Sequence, residues 1–535
     1  MSEMNPPVLN LSEAELDALM ARLDHAIAHD LSLSVDDLRL LLQVLLSFAH
    51  LHERLGEQDI TLHKLRKLAG IVQSSEKLSE LFPTTTTHKS KTKKAAKPPA
   101  EPVIHERCTH QIEGLEKGQV CPECQRGKLY KYAPTTFLRF TGQSPLIGTQ
   151  HLLERLRCNA CGTYFTAELS PEAAQDGQVG QTYGYSARAL MALHKYYAGL
   201  PFYRQQTLQQ LFGQPISAST VFDQCEHLAN AIKPVFKALQ AAAKDAAHYH
   251  LDDTTNRIIR QDPIEKPDRK TGQVKTRSGV YSSGILATLN SGAEILLFET
   301  NIGHAGEWID QILKDRPPDL PLPILMCDAL SRNFPSQQGF EKTLCNAHAR
   351  RQFADVVNHF PAEVEGVLKQ YGLIWDHETE CQKQHLAPEQ RLAYHKAHSL
   401  PVMEQLKDWG QQQLDDQTVE ANSGLGQAIT YFLRHYDSLI AFCTIESAQI
   451  DNNRMEQALK LVIRHRKNAL FFKTPAGAAI GDVILSAIAT AATANINVFE
   501  YLIALQRHAQ AVKLNPQLWL PWNYQDTLQT LELAA

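Results

Sequence analysis

The 535-residue chain has no surplus of positive charge: 53 Lys and Arg against 58 Asp and Glu give a formal net charge of −5. That argues against a protein that coats nucleic acid indiscriminately and leaves any DNA contact to local basic patches. The chain also lacks a basic-then-apolar leader of the export type. Long apolar runs are missing too. The longest, Ala478 to Ile496, is broken by Asp482 and Asn495 and rich in Ala, Ser and Thr, so it reads as a buried helix and not a membrane span. The ten cysteines do not have the spacing of a disulfide framework; two close Cys-x-x-Cys pairs among them favour metal binding. A cytoplasmic protein with no membrane partner is expected.

What is present suits a sizeable core, with 43% hydrophobic and 21% charged residues. The length predicts several domains. Residues 1–75 form a helical, coiled-coil-like segment. After Ser34, a plausible N-cap with Asp37 three residues on, Leu41, Phe48, Leu55 and Leu62 share one heptad position, while Val44, Leu51 and Leu65 share another. The seam either pairs two protomers or closes an intramolecular hairpin. Residues 76–107, with a Thr run, a Lys-rich stretch and Pro98-Pro99, read as a flexible basic linker. Residues 108–170 hold Cys121, Cys124, Cys158 and Cys161. Their four thiolates complete the closed tetrahedron of a structural Zn²⁺ in a zinc ribbon. Residues 178–242 turn helical again: a helix, a turn with Gly213, and a second helix capped by Ser217 resemble a helix-turn-helix, with a purely structural helical pair as the alternative.

From 245 to 495 the texture is mixed α/β, with a largely helical insertion at about 349–447 and a C-terminal segment at 496–535. Tyr249 to Asp252 opens a strand, Gly279 to Leu289 and Glu294 to Glu299 form a hairpin turning at Asn290-Ser291-Gly292, and Pro323 to Asp328 is an apolar strand ending in a carboxylate. Carboxylates at strand ends are where open α/β sheets place chemistry. A further acid sits in Asp451-Asn452-Asn453-Arg454-Met455-Glu456, followed by Lys460, Arg464, Arg466 and Lys467 on one predicted helix. Converging carboxylates repel unless a cation joins them. Hard divalent ions satisfy that demand and organise in-line attack at phosphorus, and the basic neighbours suit a polyanionic substrate.

Leu251-Asp252-Asp253-Thr254, Cys345-Asn346-Ala347-His348-Ala349-Arg350-Arg351-Gln352-Phe353, Ile450 to Glu456 with Arg466-Lys467-Asn468, and the closing Trp519-Leu520-Pro521-Trp522-Asn523 resemble the signature blocks of the insertion-sequence-66 family of bacterial transposases. The resemblance covers nearly the whole chain. It implies a ribonuclease-H-like catalytic domain and an Asp-Asp-Glu triad that becomes Asp252, Asp328 and Glu456, using Mg²⁺ or Mn²⁺. The family often has Glu where Asp253 stands, so Asp252 and Asp253 remain alternatives, of which a strand can aim only one at a given face. Arg350, Arg351, Lys460, Arg464, Arg466 and Lys467 would then contact DNA. The implied function is a transposase that binds terminal inverted repeats, cleaves DNA and transfers strands. Its implied partners are transposon-end and target duplexes, further copies of itself, and accessory proteins of the same element. A non-catalytic DNA-binding regulator and a stand-alone metal-dependent nuclease are the rival expectations.

Overall fold

The computed structural model describes residues 13–29, 32–41, 117–120, 122, 125–126, 128–129, 144–157, 164–267, 272–336 and 339–534. At its centre are five strands: β1 (His248–Asn256), β2 (Val280–Thr288), β3 (Glu294–Asn301), β4 (Ile324–Cys327) and β5 (Glu341–Leu344). They form one sheet in the order β3-β2-β1-β4-β5. β2 is antiparallel to both its neighbours, while β4 runs parallel to β1 and β5 parallel to β4. The β2–β3 hairpin turns where the sequence places it, with Gly292 at φ 81°, a conformation that costs a glycine little.

Helices cover the sheet. Preceding it are α1 (Tyr185–Ala192), α2 (Phe202–Leu211) and α3 (Ala218–Ala243). Between β3 and β4 lies α4 (Ala305–Leu313), and after β5 comes α5 (Asn346–Ala354). The predicted insertion is helical: α6 (Pro361–Lys383), α7 (Pro388–His398), α8 (Leu400–Asp415) and α9 (Gly424–Arg434). The chain returns to the sheet with α10 (Asn453–Ala469), α11 (Pro475–Thr493) and α12 (Val498–Arg507). One apolar cluster runs from Tyr185 on α1 through the sheet to Trp519 and Tyr524, so the C-terminal segment packs back on the same core.

The α2–turn–α3 pair has the expected outline. Gly213 takes φ 76°, and Ser217 Oγ accepts from Thr220 N at 3.1 Å to cap α3. Val221, Cys225, Leu228, Ile232, Val235 and Leu239 bury one side of α3 in the core. The exposed side of its first turns carries Asp223, Glu226, His227 and Asn230. Those acids would repel phosphate, which favours the structural alternative for this pair.

The small-apolar run is a core helix, α11, and its polar interruptions have a purpose. Asp482, Ser486 and Thr490 recur every four residues and so share one face. That face lies along the edge strand β3. Thr300 N donates to Asp482 Oδ2 (2.8 Å), Phe298 N to Ser486 Oγ (2.9 Å) and Leu296 N to Thr490 Oγ1 (3.1 Å). Three amides of this edge strand, which face away from β2, are thus paired by a helix.

The heptad positions beyond Leu41, the linker expected at 76–107 and the four cysteines expected to bind zinc lie outside the described residues. Within 108–170, Val120 bridges Lys128 in antiparallel fashion, and Arg155–Arg157 pairs antiparallel with Tyr164–Thr166.

Candidate active site

Parallel pairing of β1 with β4 matches His250 to Met326; carried two residues on, the same register sets Asp252 beside Asp328. Asp328 ends its strand in a turn that its own carboxylate holds, with Oδ1 accepting from Asn333 Nδ2 at 2.7 Å and Leu330 N at 3.2 Å. On the other side of β1, Asp252 pairs with Gly284 of β2. A Cβ at Gly284 would collide with Met455 Cε and stand 3.3 Å from Leu459 Cδ2. The missing side chain is therefore what lets α10 lie close over β1 and β2. Glu456, in the first turn of α10, follows Met455 directly and comes near Asp252.

The electrostatics follow from that crowding. Burial, then the neighbouring charges of Asp328, Glu456 and Asp253, push the Asp252 carboxyl up to about 7, against a lowering contribution from the Asp253 N–H, which donates to Asp252 Oδ1 at 2.8 Å. A carboxylate held at that value among other acids is a site that gains by taking a cation.

Asp253 is differently occupied. Its Oδ2 lies 2.9 Å from His304 Nδ1 at the start of α4, and Oδ1 lies 3.9 Å from Arg332 Nη2. The alternation of the strand thus separates the two adjacent acids: one meets other acids, the other an imidazole and, farther off, a guanidinium.

The start of α10 is pinned by Asn452, which is 1% exposed. Its Nδ2 donates to Leu251 O at 2.8 Å, its Oδ1 pairs with His250 Nδ1 at 3.0 Å, and its backbone N–H donates to Cys345 Sγ at 3.2 Å. Burial holds His250 down at about 4, so the ring is neutral at pH 7 and Nδ1–H is the donor to the amide oxygen. Asn346 reinforces the joint: its N–H donates to Ile450 O at 3.0 Å and its Nδ2 to Leu439 O at 2.9 Å. Cys345, whose thiol burial pushes up to about 12, serves as a hydrogen-bond acceptor in the core. The Cys-Asn-Ala-His and Asp-Asn-Asn-Arg-Met-Glu blocks are therefore two halves of one junction.

Two groups of metal-ligating side chains bring their atoms within 4.8 Å of one another among the described residues: Cys345, His348 and Glu456, and Glu378, Cys381 and His395. The second lies inside the helical insertion and is internally satisfied. Glu378 Oε2 takes Arg391 Nε and His395 Nε2, both at 2.9 Å, and His395 Nδ1 meets Ser399 Oγ at 2.9 Å.

The expected DNA-contacting cations divide. Lys460 and Lys467 are exposed on α10. Arg464 Nη1 donates to Tyr197 O at 3.1 Å. Arg466 Nη1 reaches Thr254 Oγ1 and Thr255 Oγ1, each at 3.0 Å, and Thr255 O, tying α10 to the end of β1. Arg350 and Arg351 lie on α5, the helix that carries His348. Sequence reasoning did not single out His250, Gly284 or His304.

Acids gathered at a parallel strand end and on a crossing helix make an acidic, cation-seeking centre on a mixed α/β sheet. The sequence profile described as "Transposase IS66 family" matches residues 180–480, which span β1 to β5, α10 and the acids named above. The chain belongs to that family. It is also similar to two proteins of Sinorhizobium fredii (strain NBRC 101917 / NGR234). With uncharacterized protein y4jD it is 24% identical over 434 residues, covering 75% of this chain and 77% of the relative. With uncharacterized protein y4hP it is 25% identical over 405 residues, covering 71% and 69%.

Proposed function

We propose that this protein is an Asp-Asp-Glu DNA transposase that cleaves the ends of its own element and joins them to a target, with Asp252, Asp328 and Glu456 as its metal ligands. The observation that carries the reading is the parallel register that sets Asp252 beside Asp328 on adjacent strands, with Glu456 close enough on α10 to raise the Asp252 carboxyl. The sheet order β3-β2-β1-β4-β5 with β2 alone reversed is the arrangement expected of a ribonuclease-H-like domain, and supports the fold half of the proposal.

The donor set fits the group it would hold. Three carboxylates offer hard anionic oxygens, which Mg²⁺ and Mn²⁺ prefer to imidazole or thiolate. When bound, such ions supply positive charge at an attacking and a leaving oxygen on phosphorus. The chain's own residues do the rest. Asp252 and Asp328 present their carboxylates from adjacent strands, and Glu456 completes the set from α10, held in register by Gly284 and Asn452. Lys460 and Lys467, with Arg350 and Arg351 on α5, attract the phosphate backbone. Arg464 and Arg466 brace α10 against the segment after α1 and against β1. Asp253, paired with His304, shapes the far side of β1 and is not a ligand. The zinc ribbon expected at 108–170 positions end DNA, and the leader helices assemble protomers.

A strand-transfer assay with inverted-repeat DNA and Mg²⁺ or Mn²⁺ tests this. Glu456→Gln should abolish nicking and joining while end binding persists. Cleavage that survives the substitution would refute the assignment. Cutting without joining by the wild-type protein would make it a nuclease, and binding without cutting a regulator.

A further inference from the structure

Two helix starts abut at the junction, and one contact there is unfinished. Cys345 stands at the N-cap position of α5, and three residues on His348 projects Nδ1 to within 3.5 Å of Glu456 Oε1. Both atoms are buried, and neither has a hydrogen-bond partner among the described residues. A buried carboxylate oxygen and a buried ring nitrogen facing each other just beyond hydrogen-bond range cost free energy until a proton donor closes the gap.

We infer that His348 is the positioning residue of Glu456: its Nδ1–H holds Oε1 and so presents Oε2 to the cation. This rests on the reading of Glu456 as a metal ligand. Glutamate carries several free side-chain torsions, and a first-turn glutamate has only its own backbone to aim it, so a fixed donor on the neighbouring helix removes that freedom. The alternative, a separate ion bound by Cys345, His348 and Glu456, has three side chains where a closed site takes four, and the Cys345 sulfur already accepts the Asn452 N–H at 3.2 Å. The spacing of the motif has a mechanical meaning on this view: the sulfur fixes where α10 begins, and the imidazole one turn later fixes where its glutamate points.

Mn²⁺ binding to the full-length protein, measured by electron paramagnetic resonance titration alongside thermal melts, tests the inference without relying on turnover. His348→Ala should weaken Mn²⁺ affinity by about tenfold or more, the usual consequence of removing a group that orients a ligand. His348→Asn should restore most of it, because a carboxamide N–H can occupy the Nδ1 position. Wild-type affinity in His348→Ala, or no recovery in His348→Asn, overturns the inference. So does a loss in both variants that merely follows a lowered melting temperature, which assigns His348 to packing. Glu456→Gln separates the two layers: if it too binds Mn²⁺ like wild type, the reading of the acids as ligands fails. If it loses binding while His348→Ala does not, only the role of His348 fails.

Discussion

Replacing Asn452 by Ala strikes the joint between β1 and α10, and its cost can be worked from the contacts. The substitution deletes two side-chain hydrogen bonds, Nδ2 to Leu251 O at 2.8 Å and Oδ1 with His250 Nδ1 at 3.0 Å. Each is worth about 1 kcal/mol net, and a buried N–H left without an acceptor adds about 1–3 kcal/mol. His250 has no escape through water, because it is buried and neutral at pH 7. The sum is about 3–5 kcal/mol, large for one side chain. The backbone N–H of residue 452 keeps Cys345 Sγ as its acceptor, so α10 should loosen at its first turn without detaching. Urea unfolding should show the destabilisation, and Mn²⁺ titration of the folded protein should show weaker binding, because Glu456 lies one turn from the lost anchor. A double-mutant cycle with His250→Ala should give a coupling of about 1 kcal/mol or more. Additive effects, or a loss under about 0.5 kcal/mol, would show that the joint is held by something other than Asn452.

Gly284→Val should raise α10 off the sheet, costing about 1–3 kcal/mol by overpacking against Met455 and Leu459 and lowering Mn²⁺ affinity together with melting temperature. A variant that binds Mn²⁺ normally would mean the close approach is not needed. Asp482 is raised to about 8 by burial, against the lowering effect of its Thr300 hydrogen bonds, while the unfolded value lies near 3.8. Its protonated form therefore folds without penalty below about pH 4. Stability is lost as pH rises through the window up to about 8, at no more than about 1.4 kcal/mol per unit. Asp482→Asn should flatten the fall in melting temperature between pH 5 and 8, and an unchanged slope would refute the assignment. Elemental analysis of the purified chain should find about one zinc, lost on replacing Cys121 or Cys158 by Ser and retained when Glu456 is changed.

Much of the sheet was legible because its strands are apolar runs with clear ends: β1, the β2–β3 hairpin and β4 fall within a few residues of where the patterning puts them. β5 was not legible. Glu341-Lys342-Thr343-Leu344 is polar and short, and becomes a strand only because β4 offers it a partner. α11 could be read as buried, but the reason for Asp482, Ser486 and Thr490 within it could not, since the amides they serve lie more than 180 positions earlier. The proposed choice of Asp252 over Asp253 could not be made locally for the same reason: it rests on the distant partners His304 and Asp328. Nor could local pattern show that Asn452 and Cys345 meet, because their contact spans 107 positions. Patterning reports which face is wet; it does not report which distant partner supplies a hydrogen bond.

The clasp of α11 on β3 gives the order of synthesis a consequence. A chain stopped before Pro475 would already contain every acid of the proposed triad, yet its outermost strand would carry three bare amides at Leu296, Phe298 and Thr300. Such a fragment would be a template for strand addition by its siblings, and premature termination would yield sticky, proteolysis-prone material in place of a quiet inhibitor. The helix Pro475–Thr493 is in this sense a built-in quality check, since the sheet acquires its finished border only after every acid of the proposed triad has been made.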